Sequence, residues 1–196
     1  ASFGVIQVKP DLRVKGFQEK PKEPTPMPED ASKAFISMGN YLFNTDFLID
    51  VLEEDAKKDT EHDFGRTILP AIYKDHRLFA YDFMKNEIPG VAEKEKGYWR
   101  DVGTIKAYWE ANMDLKKIDA DFNLYNRQWP IRTASYGAPP AKFCYDKRGR
   151  RGSVINSVVS EGCIIRGGKV QDSVLGRNVY IHSDSSIINS ILMDDV

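Results

Sequence analysis

Along the first part of the chain, apolar and polar positions alternate instead of recurring with a helical period. Phe3, Val5 and Gln7 alternate with Gly4, Ile6 and Val8, and a second run lies beyond a Pro10-Asp11 turn, so two strands are predicted over 3–8 and 12–19. Four prolines between Lys20 and Pro28 fix φ and remove backbone donors, which makes that stretch a loop. Ala34–Phe43 is apolar, with aromatic and β-branched members, and predicts a buried strand. From Thr45, read as an N-cap, Leu48, Val51 and Leu52 mark one face of a helix that ends in the acid-rich stretch Glu53 to Asp63. Asp63 is expected to cap a further helix with Phe64, Ile68, Leu69 and Ile72 inward and a kink at Pro70. Leu78–Phe83 alternates like a strand, and Ile105, Tyr108, Trp109, Asn112 and Leu115 mark one face of a third helix. Strands interleaved with helices predict an α/β domain over 1–132.

After Asn123 the pattern changes. Trp129-Pro130, Pro139-Pro140 and the basic run Lys147 to Arg151 read as a connector over 133–152. From Ser153 onward Val158, Ile164 and Val170 fall six residues apart, and after a one-residue slip Leu175, Ile181 and Ile187 resume that interval, with Gly, Asn, Asp and Ser between them. One inward apolar residue per short strand is the sequence form of a hexapeptide β-helix, predicted over 153–196; a piece of a β-sandwich is the alternative.

Composition narrows the function classes. With 41% hydrophobic residues in a chain of 196, there is enough apolar surface for a core, which excludes disordered and fibrous classes. Lys and Arg number 28 against 29 acids, so no excess of positive charge exists to hold nucleic acid by counterion release. No apolar run reaches the roughly 20 residues of a membrane helix, and no leader is evident, so a cytoplasmic protein without membrane attachment is expected. Cys144 and Cys163 stand apart without CxxC spacing, which supports neither a disulfide framework nor a zinc site. The strand-like start and the end inside a repeat lead us to expect a fragment of a longer chain.

Several residues carry candidate chemistry. Gly4 is either a sheet glycine or a place where a ligand approaches the backbone. Glu19-Lys20-Pro21 sits at a strand end, where open α/β sheets bind ligands, and an adjacent acid and ammonium suit a sugar hydroxyl and a phosphate; a plain surface pair is the competing reading. Ser37-Met38-Gly39 puts a small hydroxyl inside an apolar run, as a close-approach site or a satisfied core serine. Asp101 is either a Mg²⁺ ligand or the cap of the helix beginning near Thr104. His62-Asp63-Phe64-Gly65 contains a kinase-like DFG with none of its companion motifs and reads as a helix start. His76 and His182 lack i,i+4 partners, and Lys147–Arg151 is a solvated cluster that could attract an anion.

Five strings in order, Phe17-Gln18-Glu19-Lys20-Pro21, Ser37-Met38-Gly39-Asn40-Tyr41-Leu42-Phe43, His62-Asp63-Phe64-Gly65, Tyr98-Trp99-Arg100-Asp101-Val102-Gly103-Thr104 and Pro139-Pro140-Ala141-Lys142-Phe143, give the chain a family likeness. It resembles the bacterial glucose-1-phosphate adenylyltransferases along essentially its whole length. The resemblance implies the second half of a Rossmann-like nucleotidyltransferase domain followed by the start of a left-handed β-helix. It further implies an allosteric homotetramer making ADP-glucose and pyrophosphate from ATP and glucose 1-phosphate, with Mg²⁺, for glycogen synthesis. Lys20 and Asp101 would be the catalytic residues, Lys20 on the phosphate and Asp101 as one of two carboxylates on the metal. Glu19 and Ser37 would take glucose hydroxyls, with Gly4 offering its backbone on the sugar side. The family's Gly-rich nucleotide loop and second metal aspartate are absent from these residues, so no ATP contact is assigned and the chain alone is expected to be inactive. A non-catalytic regulatory paralogue that binds sugar phosphate or partner subunits is the alternative, and an acyltransferase, the other use of hexapeptide coils, leaves the five strings unexplained.

Overall fold

The computed structural model describes residues 3–196, which divide at Asp82 and Phe83 into two compact units. In the first unit β1 (Val5–Val8) is the central strand of a three-stranded antiparallel sheet, between β2 (Val14–Gln18) and β3 (Phe35–Ile36). Val5 and Val8 are buried, as expected of a strand with neighbours on both edges.

The buried strand expected over Ala34–Phe43 is only two residues long. Gly39 adopts a left-handed φ of 75°, which ends the extended run, and Leu42 is fully exposed. Tyr41 and Phe43 instead fold onto a cluster formed by Ile68, Leu69 and Ile72, which Phe17, Phe47, Val51, Phe64 and Leu78 complete. Aromatic content here served that cluster and not a ladder.

Helix α1 (Thr45–Asp55) starts one residue earlier in capping terms than expected. Asn44, not Thr45, is the N-cap, its Oδ1 accepting from the Asp46 and Phe47 N–H groups at 3.1 and 3.3 Å. Asp63 caps the next helical segment as predicted, its Oδ1 accepting from Arg66 N at 2.8 Å. The kink expected at Pro70 takes the form of a change of period: a wide i→i+5 turn over Phe64–Ile68 gives way to a short α2 (Leu69–Ile72). Proline has no N–H for the carbonyl four residues back, so the preceding turn widens to bond without it.

Leu78–Phe83 is not a full strand. It meets the sheet at one bridge, Arg13 with Phe79, flanked by bonds from Val14 N to Leu78 O and Ala80 N to Leu12 O, both 2.8–2.9 Å. Leu12 has a φ of 64°, so the partner strand turns away before pairing can extend.

The second unit contains α3 (Ile105–Asp114) and a triangular coil. Thr104 caps α3, its Oγ1 accepting from Ala107 N at 3.1 Å, while Ile105, expected inward, is exposed. The coil has nine short strands, β4 (Lys142–Cys144), β5 (Ser153–Ile155), β6 (Val158–Val159), β7 (Ile164–Arg166), β8 (Lys169–Gln171), β9 (Val174–Leu175), β10 (Tyr180–Ile181), β11 (Ser186–Ile188) and β12 (Ile191–Leu192). They form three parallel sheets, β4-β7-β10, β5-β8-β11 and β6-β9-β12, so each strand passes the chain to the next face. Its first strand, β4, lies within the stretch read as connector from the sequence.

Inside the coil Cys163, Ile165, Val170, Leu175, Val179 and Ile181 are buried, with Val154, Val159, Ile187 and Leu192 packed against them. The expected register is therefore correct from Val170 onward and one residue off before it: Val159 and Ile165 reach the core in place of Val158 and Ile164. Both positions lie in apolar pairs, so the sequence period alone did not choose between them. The corners did, because left-handed residues at Asn156, Gly162, Gly167, Asp172, Asn178, Asp184 and Asn189 follow one another at five or six residues and set where each strand begins.

Candidate functional site

In the first unit the end of β2 carries Glu19 to a place where two glycines leave room for it. The Glu19 Oε2 lies 3.2 Å from where a Cβ on Gly4 would stand and 2.9 Å from the same point on Gly65. At Gly4 the Phe17 ring would also intrude, at 2.5 Å, and the Gly4 carbonyl accepts from Ser37 N at 2.8 Å. The missing side chain of Gly4, just before β1, thus admits both a ring and a carboxylate. Neither glycine has the left-handed φ that would require it, so space and not backbone strain selects them.

Lys20 follows with a left-handed φ of 45°, its Nζ 3.6 Å from Glu19 Oε1 and its side chain more than half exposed. The two open onto a shallow depression of about 490 Å³ lined also by Phe17, Glu61, Gly65, Arg66 and Pro70. Arg66 Nη1 lies 2.5 Å from Glu61 Oε2, and this bond raises the Arg66 pKa, with Glu61, Glu19 and Asp63 adding their charge. Two carboxylates and two cations around one open depression can bind a ligand that carries both hydroxyls and an anionic group.

The loop bearing Glu61 is fastened from below. Asp55, buried at the end of α1, accepts from His62 Nδ1 at 2.8 Å and Thr60 Oγ1 at 3.0 Å, and the His62 bond is the main cause of its lowered pKa. Ser37 lies just past β3, its Oγ 2.9 Å from the Tyr41 hydroxyl and accepting from Gly39 N at 3.3 Å, and it is not among the residues lining the depression. Glu61 and Arg66 escaped the reading of the sequence, and Gly65 entered it only within the His62–Gly65 string and not as a site residue, although a glycine interrupting an apolar helical period was a signal of close approach.

Asp101 belongs to the second unit and is exposed. Its Oδ1 accepts from Gly103 N at 3.0 Å, and since Thr104 caps α3, the reading of Asp101 as the helix cap is set aside. Its Oδ2 accepts no hydrogen bond from the described residues. A lone carboxylate is the hard donor that Mg²⁺ takes through one or two protein ligands, completing its shell with phosphate oxygens and water. No group of three His, Cys, Asp or Glu able to hold a metal occurs among the described residues.

The basic cluster is partly neutralised: Arg150 pairs with Asp146 at 2.7 Å and with Asp184. Both cysteines are free, and burial pushes the Cys163 thiol up. No helix among the described residues is long and apolar enough to cross a membrane.

Residues 1–118 match the family model for nucleotidyl transferases, and residues 139–196 match that for a GlmU-like C-terminal hexapeptide region. The chain is 47% identical over its whole length to a glucose-1-phosphate adenylyltransferase of Thermodesulfovibrio yellowstonii, covering 46% of that protein. It is 49% identical to the enzyme of the same name from an Anaeromyxobacter species, again over all of this chain and 49% of that one. A glucose-1-phosphate adenylyltransferase of Thermus thermophilus is 48% identical over 94% of this chain and 45% of its own. The chain spans about half the length of the curated relatives it matches. With the first match covering more than half of its residues and the hexapeptide match following it at residue 139, the chain belongs to the nucleotidyl transferase family.

Proposed function

We propose that this chain carries the sugar-phosphate half of a glucose-1-phosphate adenylyltransferase, which makes ADP-glucose and pyrophosphate from ATP and glucose 1-phosphate. The observation that carries this reading is the Glu19–Lys20 pair over an open depression, with the Glu19 carboxylate held between Gly4 and Gly65. Glu19 accepts hydrogen bonds from glucose hydroxyls, and Lys20 meets the phosphate with a charge-assisted contact. Ser37 and the backbone of Gly4 serve the sugar from the neighbouring strands at the same end of the sheet. In the reaction an oxygen of that phosphate attacks the α-phosphorus of ATP and pyrophosphate leaves, so the protein's task is orientation and neutralisation of growing charge. Asp101 offers its carboxylate to Mg²⁺, which supplies neutralisation of the leaving pyrophosphate.

On this reading residues 1–132 are the C-terminal portion of the catalytic domain, 133–152 a connector and 153–196 coils of the β-helix, with β4 already part of the coil. The full-length protein is a cytoplasmic, allosteric homotetramer of glycogen synthesis. Titration of glucose 1-phosphate and of glucose into the full-length protein tests the assignment. Binding of the phosphate ester, its loss in Lys20→Ala and retention of ATP binding are expected; equal loss of both ligands would remove Lys20 from the sugar-phosphate site.

A further inference from the structure

The residue before Asp101 ties it to the far end of the helix that follows. Arg100 Nη2 lies 2.5 Å from Oδ2 of Asp114, the last residue of α3, whose side chain is only 12% exposed. A buried carboxylate at a helix C-terminus faces the negative end of the dipole and needs cations. Arg100 and Lys117 supply them, the Arg100 contact being ionic and not a well-aligned hydrogen bond. Tyr98, two residues further back, stacks on Phe122 with centroids 5.1 Å apart. The 98–101 segment is thus fastened at the C-terminal end of α3 and to the stretch that follows it.

Helix α3 is in turn fastened to the coil within the same unit. Trp109 Nε1 donates to Asn189 O at 2.8 Å, and Lys116 Nζ pairs with Asp172 at 3.0 Å. Asp172 and Asn189 are left-handed corner residues on successive turns of the coil, and Asn156 Nδ2, from the turn before, donates to Asp172 at 2.5 Å. These bonds join α3, through Trp109, and the residues just past it, through Lys116, to a stack of corners.

We propose that Arg100 and Asp114 are positioning residues for Asp101, and that the coil corners at Asp172 and Asn189, through Lys116 and Trp109, are the frame that holds them. The inference rests on the reading of Asp101 as serving the reaction. Misplacing a reacting group by about 1 Å can cost about 100-fold in rate, so a strap of this kind has a kinetic consequence beyond stability.

Three variants of the full-length enzyme test it. Arg100→Lys keeps the charge and loses the planar fork, Asp114→Asn keeps the shape and loses the charge, and Trp109→Phe keeps a ring and loses the donor to Asn189. The first two should lower kcat about 10- to 100-fold and Trp109→Phe about 3- to 10-fold, with KM for both substrates within about 2-fold. Amide hydrogen exchange across residues 98–104 should quicken in all three. Ile72→Val, in the core of the first unit, serves as a control for lost stability and should leave both readouts alone. If Asp114→Asn does not fold, the other two variants decide. Wild-type kcat and unchanged exchange at 98–104 in these variants, beside an inactive Asp101→Asn, would overturn the positioning role alone. Normal turnover in Asp101→Asn would overturn the reading of Asp101 and this inference with it.

Discussion

The Glu19 carboxylate occupies the space that a side chain on Gly65 would need, its Oε2 standing 2.9 Å from the position of a Cβ there. The end of a strand and a turn of helix distant in sequence are thereby fitted to each other, and the depression beside them owes its shape to an absent methyl group.

Gly65→Ala should separate site from stability. The added methyl displaces Glu19, while alanine is favoured over glycine in a helical segment by roughly 0.5–1 kcal/mol. Melting temperature should hold or rise, and KM for glucose 1-phosphate should increase. A variant with unchanged KM would mean that the Glu19 position does not matter to the sugar.

Lys20→Ala should act mainly on glucose 1-phosphate, since a cation facing an already charged phosphate contributes to ground state and transition state alike. Loss of such a bond, roughly 1.5–3 kcal/mol, weakens apparent affinity about 10- to 100-fold. ATP affinity should stay near its original value in the same titrations.

Asp101→Asn keeps an oxygen for the Gly103 N–H, and Thr104 still caps α3, so the fold has no reason to suffer. Only the negative charge is lost. In the full-length enzyme kcat should fall at least about 100-fold, near 2.7 kcal/mol of transition-state stabilisation, with melting little changed.

Acid should loosen the start of the coil through Asp146. Burial works to raise the pKa of this carboxyl, but hydrogen bonds from Arg150 N and Nε and from Arg148 N hold it well below the usual carboxylate range. A depressed folded pKa stabilises above the unfolded value, about 3.9, and that contribution fades as pH falls below it. Thermal melts between about pH 6 and pH 2.5 should show a steep acid limb that flattens in Asp146→Asn. Identical limbs would assign the acid sensitivity elsewhere.

The sequence by itself determined the kind of elements and the family. Alternation at β1 and β2, the cap at Asp63 and the period of the coil from Val170 to Ile187 are local or repetitive signals, and each survives in the structure because its physics acts over a few residues, while the family was legible in the five ordered strings. Five other matters were decided by the path of the folded chain. Tyr41 and Phe43 left the expected strand because a cluster around Ile68 had room for their rings, and Leu78 to Phe83 stopped at one bridge because Leu12 turned its partner away. Val159 replaced Val158 inside the coil because stacked corners fix the strand register. Arg66 and Gly65 joined Glu19 and Lys20, and Arg100 found Asp114, through packing that no spacing along the chain records. An apolar or charged residue announces that it needs a partner, but which partner it meets depends on the path of the chain between them, and that path is a property of the packed whole.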